Sequence, residues 1–295
     1  MKKTKKRNRT GRKATRRKPR RNPRGYILAV ALLIAVVLQS TNFAGCTPPD
    51  ENESTPTGSE IPAIDSKELM KVEPSAPDDE QIVEYKGMTV SFNQSKHVPN
   101  WVAWELTRDE VHGTVPRAKG FKSDPRVKGC PEPWDYSNSG YDRGHMAPAG
   151  DMKWDRQAME ESFYMTNVCP QANQLNSGTW NRLEEKCRVW ADVDSAIIII
   201  AGPILTDDLT ETIGATKVIV PKRFFKVILS PYTVPQRGIG FIMNNGRVEG
   251  GMQNAAVSID EVESATGYDF FSALPDSIEN EVEQQCRFHY WSTLK

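Results

Sequence analysis

The sequence predicts an α+β domain, and three observations lead to that class. Short alternating segments rich in Val, Phe and Trp come first, two helix-periodic segments follow, and strand-like runs return afterwards. The run Ala196–Ile200 (AIIII) is wholly apolar, which suits a strand buried on both faces. Regular βαβ alternation and internal repeats are both lacking in the sequence.

Along the chain, charge is strongly segregated, although the formal net charge is zero. Residues 1–25 carry 14 Lys/Arg and no acid, whereas residues 47–82 carry 10 Asp/Glu against Lys67 and Lys71. The remainder keeps an excess of acid, which argues against a protein that coats nucleic acid by bulk electrostatics. An enzyme that engages phosphate through a few placed arginines and a metal can still be mildly acidic. The basic run abuts Tyr26–Leu38 (YILAVALLIAVVL), thirteen apolar residues without a charge. A basic arm can also bind nucleic acid, but this adjacency favours membrane targeting. Two ends fit the 26–45 segment. As an uncleaved anchor, the uncharged stretch Tyr26–Ala44 crosses a tilted bilayer. Alternatively Phe43-Ala44-Gly45-Cys46 resembles a bacterial lipoprotein cleavage site, with Cys46 the lipidated first residue. Both routes place the folded part outside the cytoplasmic membrane, in the cell envelope.

Residues 46–82, rich in Pro, Ser, Thr and acid, read as a disordered tether, so that a single domain spans 83–295. Gly87–Asn93 and Trp101–Leu106 read as strands, and residues 112–140 as loop. A helix is expected over Gln157–Met165, and a second from about Asn176–Ser177 to Ala191, with Trp180, Leu183, Cys187 and Trp190 on its packing side. Lys217–Val220, Phe224–Ser230 and Gly238–Met243 read as further strands, Ile259–Thr266 and Glu279–Cys286 as helices. Cys130, Cys169, Cys187 and Cys286 lack zinc-ribbon spacing, which points to two disulfides in an oxidising compartment, with free buried thiols as the alternative.

Chemistry concentrates in Asp142-Arg143-Gly144-His145-Met146-Ala147-Pro148 and in the segment that starts at Asn176. Gly144 permits an unusual backbone turn that projects the His145 imidazole into a cleft. On a continuous helix, Glu184 lies about 80° around the axis from Asn176, and Arg188 about 40° further on. A metal-type ligand, a carboxylate and a guanidinium therefore share one sector. Each has a plainer reading beside it: Asn176 as a helix N-cap, Arg188 as an i,i+4 partner of Glu184, and Arg143 as a partner of Asp142. Helical phase selects Glu184 over its neighbour Glu185. His97, His112 and His289 lack comparable context. His145 suits proton abstraction because its ordinary pKa lies near 6.5. A carboxamide such as Asn176 leaves an oxygen-seeking ion its full charge.

These motifs, with Asn167-Val168-Cys169-Pro170-Gln171 and Asn173 through Glu184, resemble the DNA/RNA non-specific endonucleases of the ββα-metal (His-Me finger) superfamily. Weaker similarity spans roughly residues 84–290. The resemblance implies a ββα-metal nuclease fold, with a central, mostly antiparallel sheet and flanking helices. It implies that His145 is the general base and that Asn176 is the single protein ligand of a divalent ion, Mg²⁺ or Mn²⁺. Glu184 would hold water on that ion, and Arg188 would neutralise phosphate. Asn167, Gln171 and Asp142 fall on supporting polar positions; Arg143 and Arg117 fall near phosphate. The implied activity is hydrolysis of DNA and RNA to 5′-phosphate ends through the sugar-phosphate backbone. Two rivals stand beside it: an envelope protein that captures nucleic acid without cutting it, and a phosphodiesterase acting on smaller nucleotides.

Overall fold

The computed structural model describes residues 64–73 and 80–294. The basic segment 1–25, the apolar segment 26–45, Cys46 and most of the expected tether lie outside these residues. Among the described residues no helix is long and apolar enough to cross a membrane.

Helix α1 (Ser66–Leu69) opens the described chain, capped by Asp65, whose carboxylate accepts from the Lys67 N–H at 3.0 Å. Strand β1 (Val72–Glu73) precedes β2 (Glu80–Glu84), β3 (Thr89–Asn93) and β4 (Val98–Thr107). The short helix α2 (Arg108–Val111) starts on a capping box made by Thr107 and Glu110. Then come β5 (Asp142–His145), α3 (Arg156–Glu161), β6 (Val168–Gln171) and α4 (Asn181–Asp194). Strands β7 (Ala196–Pro203), β8 (Thr212–Ile213), β9 (Val218–Ile219), β10 (Arg223–Ser230) and β11 (Arg237–Asn244) follow. The chain ends with α5 (Met252–Ala255), β12 (Ala256–Val257), α6 (Ile259–Thr266), β13 (Asp269–Phe270), α7 (Asp276–Gln284) and α8 (Phe288–Thr293).

Seven strands form one sheet in the order β12-β11-β10-β7-β4-β3-β2. Every neighbouring pair in it is antiparallel. The sheet separates two cores. Ile197, Ile199 and Ala201 of β7 face one core, and Ile198 and Ile200 face the other. A strand covered on both sides loses its polar alternation, which explains the isoleucine run. The first core is completed by Leu183, Cys187 and Trp190 of α4. The second is completed by Ile259 and Val262 of α6 and Val282 of α7. β10 follows the same rule with one exception: Lys226, fully buried, sits between Phe224 and Ile228 on the first-core side. β4 and β7 are paired from Val102↔Ala201 to Thr107↔Ala196, and the Arg108 N–H closes onto the Ser195 carbonyl at 2.8 Å.

Several expectations change. The stretch 64–73 is folded, not tether: Leu69 and Val72 are 1% and 6% exposed, and β1 pairs with β13. β2 likewise begins before residue 83. A few apolar residues set in an acidic, proline-rich stretch suffice to dock it, and averaging over composition hides them. The helix expected over 157–165 stops at Glu161, because Lys122 and Tyr164 form a β-bridge. The helix expected from 176 begins at Asn181; Leu175–Trp180 is a π-helical turn broken at Gly178 (φ −101°, ψ −114°). Cys130, Cys169 and Cys187 are free thiols, so they do not make the two expected disulfides, while Cys286 is disulfide-bonded.

Candidate active site

β5 and β6 form a hairpin in which His145 opposes Val168 and Gly144 opposes Cys169. With α4 this makes two strands followed by a helix. Asn167 fixes the backbone beyond His145. Its Oδ1 accepts from the Ala147 N–H at 2.9 Å, and its Nδ2 donates to the Ala147 and Ser162 carbonyls at 2.8 and 2.9 Å. The Met146 N–H donates to the Asn167 carbonyl at 2.9 Å. From the other side, the Trp180 indole N–H donates to the His145 carbonyl at 3.2 Å. Gly144 makes no special turn, being part of strand β5 and outside the left-handed region. Its role is steric: a Cβ there would run into the Gln171 carboxamide. Gln171 is wholly buried, and its carboxamide has no hydrogen-bond partner among the described residues.

The His145 ring packs on Phe121 and, edge-on, on Phe163, each with centroids 5.0 Å away. Its Nε2 is buried without a hydrogen-bond partner among the described residues. Burial, reinforced by the nearby Arg117 charge, lowers the imidazole pKa to about 3. The ring is therefore neutral at physiological pH and able to accept a proton. Arg117 stacks over Phe163 at 4.9 Å. Arg143 lies 5.7 Å from the Phe121 centroid and donates through Nε and Nη2 to the Pro133 carbonyl at 3.1 and 2.5 Å. It does not pair with Asp142, which instead accepts from Asn173 Nδ2 and Asn176 Nδ2 at 2.8 and 3.0 Å.

A cleft of about 500 Å³ brings together Arg117, Asp142, Arg143, His145, Asn176, Glu184 and Arg188. Asn167 and Gln171 stand behind it and do not line it. Asn176 reaches the cleft from the π-helical turn and is not an N-cap. Asn181, Glu184 and Arg188, spaced i, i+3, i+7, come from one face of α4. Arg188 pairs not with Glu184 but with the buried Asp151, Nη1 to Oδ1 at 2.8 Å. Asp151 also accepts from the Trp104 indole at 3.1 Å. Gly150 leaves the space for this pair, since a Cβ would approach the guanidinium to 2.7 Å.

Glu184 is half-buried and makes no hydrogen bond with a described residue. Burial lifts its pKa to about 7, opposed chiefly by the positive charge of Lys226. The Lys226 ammonium lies 4.4 Å from the Trp180 ring and 5.2 Å from that of Trp104, with no hydrogen-bond partner among the described residues. Sequence reasoning missed Asp151, Asn181 and Lys226. Asn181 carried a signal in its spacing to Glu184. Lys226 carried another, as the one charge in the alternating run Phe224–Ile228.

The donor set suits a hard divalent ion. Asn176 commits its Nδ2 to Asp142, which leaves the amide oxygen for a cation, and Glu184 offers a carboxylate with no hydrogen-bond partner among the described residues.

A family model described as DNA/RNA non-specific endonuclease matches residues 65–277. A mitochondrial nuclease EXOG of Danio rerio is 36% identical over 217 residues, covering 64% of this chain and 60% of its own length. The chain thus spans about 60% of the length of the first curated relatives it matches. A nuclease of Nostoc sp. is 32% identical over 281 residues, covering 88% of this chain and 97% of its own. Among solved structures, the EndoG/EndoGI complex matches with a TM-score of 0.63 and 30% identity, over 75% of this chain and 95% of that one.

Proposed function

Because this chain belongs to the DNA/RNA non-specific endonuclease family, we propose that it hydrolyses phosphodiester bonds of DNA and RNA, with His145 as general base. The carrying observation is the cleft itself, where a neutral histidine faces oxygen donors and three arginines. His145 takes the proton from the water that attacks phosphorus. A negatively charged phosphate arriving beside Arg117 offsets that residue's effect on the imidazole and raises its basicity as the reaction begins. Arg117, Arg143 and Arg188 neutralise phosphate oxygens, their guanidiniums already held by Phe163, by the Pro133 carbonyl and by Asp151. Asn176 and Glu184 would hold Mg²⁺ or Mn²⁺, which supplies positive charge to the phosphoryl oxygens and the departing 3′ oxygen when bound. Recognition then goes through the sugar-phosphate backbone common to both nucleic acids, which carries no sequence information.

Nicking of supercoiled plasmid by the full chain tests this. Activity is expected with Mg²⁺, none with EDTA, and a loss of about 10²–10⁴-fold in His145→Ala. An intact enzyme that leaves plasmid and RNA untouched in Mg²⁺ overturns the nuclease reading. Undiminished nicking by His145→Ala would keep the activity and assign the base elsewhere.

A further inference from the structure

On the sheet face opposite the cleft, α6, β13 and α7 crowd five carboxylates together. Asp260 and Glu263 lie on one face of α6, Glu279 and Glu283 on one face of α7, and Asp269 on β13 between them. Oxygens of Asp260, Glu263 and Glu283 lie within 4.8 Å of one another, and so do those of Asp269, Glu279 and Glu283. Glu283 is shared by both sets and is only 8% exposed, and its Oε1 is buried with no hydrogen-bond partner among the described residues. A buried carboxylate oxygen aimed at other carboxylates is the opposite of what a packed interface selects.

We infer that this acidic cluster binds divalent cations of the calcium type, through two three-carboxylate sets, Asp260–Glu263–Glu283 and Asp269–Glu279–Glu283, that share Glu283. Calcium binds oxygens at about 2.4 Å in flexible geometry, so two of its ligands lie up to about 4.8 Å apart. Both oxygen sets meet that span without backbone movement. Glu263 keeps one oxygen on the Phe270 N–H at 2.9 Å, which orients its carboxylate and leaves the second oxygen available. The charges acting most strongly on Glu283 all come from carboxylates: Glu263, Glu279, Asp260 and Asp269. A cation among these crowded carboxylates relieves a repulsion that packing leaves in place. Since β13 pairs with β1, an ion here would tie α6 and α7 to the strand pair that docks residues 64–73.

Thermal unfolding of the full chain, stripped with EDTA and then given Ca²⁺, tests the site without substrate, so its failure and that of the nuclease reading are separable. Calcium at about ten times a dissociation constant of roughly 0.1 mM is expected to raise Tm by about 3–5 °C. Asn176→Ala, which removes the cleft ligand, should keep this rise. Glu283→Gln should abolish it while melting higher than the parent in EDTA, because it removes a repelling charge. Glu279→Gln, at the half-buried rim, should weaken the calcium response several-fold without loss of folding. A parent chain whose Tm ignores calcium overturns the site. So does a rise that survives Glu283→Gln, or one that disappears in Asn176→Ala.

Discussion

Lys226 approaches the cleft from behind, out of the centre of the sheet, and is the first charge to oppose burial at Glu184. Glu184 must be ionised to hold a cation. If it holds the cation as proposed, then with its pKa lifted to about 7 activity is expected to fall as pH drops through that value. A bound cation draws this limb lower. His145, lowered to about 3, stays neutral throughout and does not set it. The acid limb of kcat/KM should therefore disappear, together with most of the activity, in Glu184→Gln. Lys226→Met should instead move the limb to higher pH. It should leave Tm unchanged or raised, because a buried ammonium without hydrogen bonds is itself destabilising. A limb that stays in place in Lys226→Met removes the lysine from the chemistry. His145 was legible in the sequence because its motif is contiguous. Lys226 stood out as the one charge in its strand, but its role was not legible, since that local pattern is the same whether the charge faces solvent or a carboxylate across the core.

At the scale of elements, the hairpin β5–β6 depends on a side chain lying where another would be. Gly144→Ala pushes the Gln171 carboxamide away, and is expected to cost about 1–3 kcal/mol in denaturant unfolding. Gln171→Ala in the same chain should restore most of that loss, a coupling that independent defects would not show. Asn245 braces the same region, accepting from the Ala172 N–H at 2.7 Å and donating to the Pro170 and Pro221 carbonyls at 3.0 and 2.9 Å. Helix α6 runs from Ile259 to Thr266 as periodicity indicates, because Ser258 and Glu261 form a capping box and Gly267 ends it in the left-handed region. The helix expected from Asn176 lacks such signals, and Gly178 delays its regular part to Asn181. Asn176 and Glu184 still reach the same cleft, although they do not share the continuous helix from which their phase was argued.

For the molecule as a whole, the second core depends on the first described residues as well as on the C-terminal elements. Residues 64–73 seal the second core through Leu69 and Val72. A chain beginning at Val83 loses α1, β1 and the start of β2. Relative to one beginning at residue 64, it should be about 3–6 kcal/mol less stable, from the burial of those two side chains alone. Equal midpoints in urea for the two chains would show that the segment contributes nothing. The α+β class could be read from the sequence, because strand alternation and the isoleucine run are local; the antiparallel sheet followed only from the family resemblance. The early start of the folded unit could not, because Val72 finds its partner Phe270 in a separate two-stranded ladder about 200 residues later in the chain.

The pairing of Thr107 with Ala196 has a consequence for modularity. Every residue lining the cleft, from Arg117 to Arg188, belongs to the single excursion that leaves β4 and rejoins β7 at adjacent positions. Topologically this is one very long hairpin loop, with ends about 5 Å apart. Such a cassette can be exchanged between scaffolds, or diversified within one, without rethreading the sheet, provided α4 finds an apolar surface to cover. Three side chains described above do not travel with it: Trp104 on β4 itself, Lys226 on β10, and Asn245, which braces Pro170 and Ala172. A recipient sheet lacking that interior lysine would receive the whole visible cleft but a Glu184 with its main opposing charge missing.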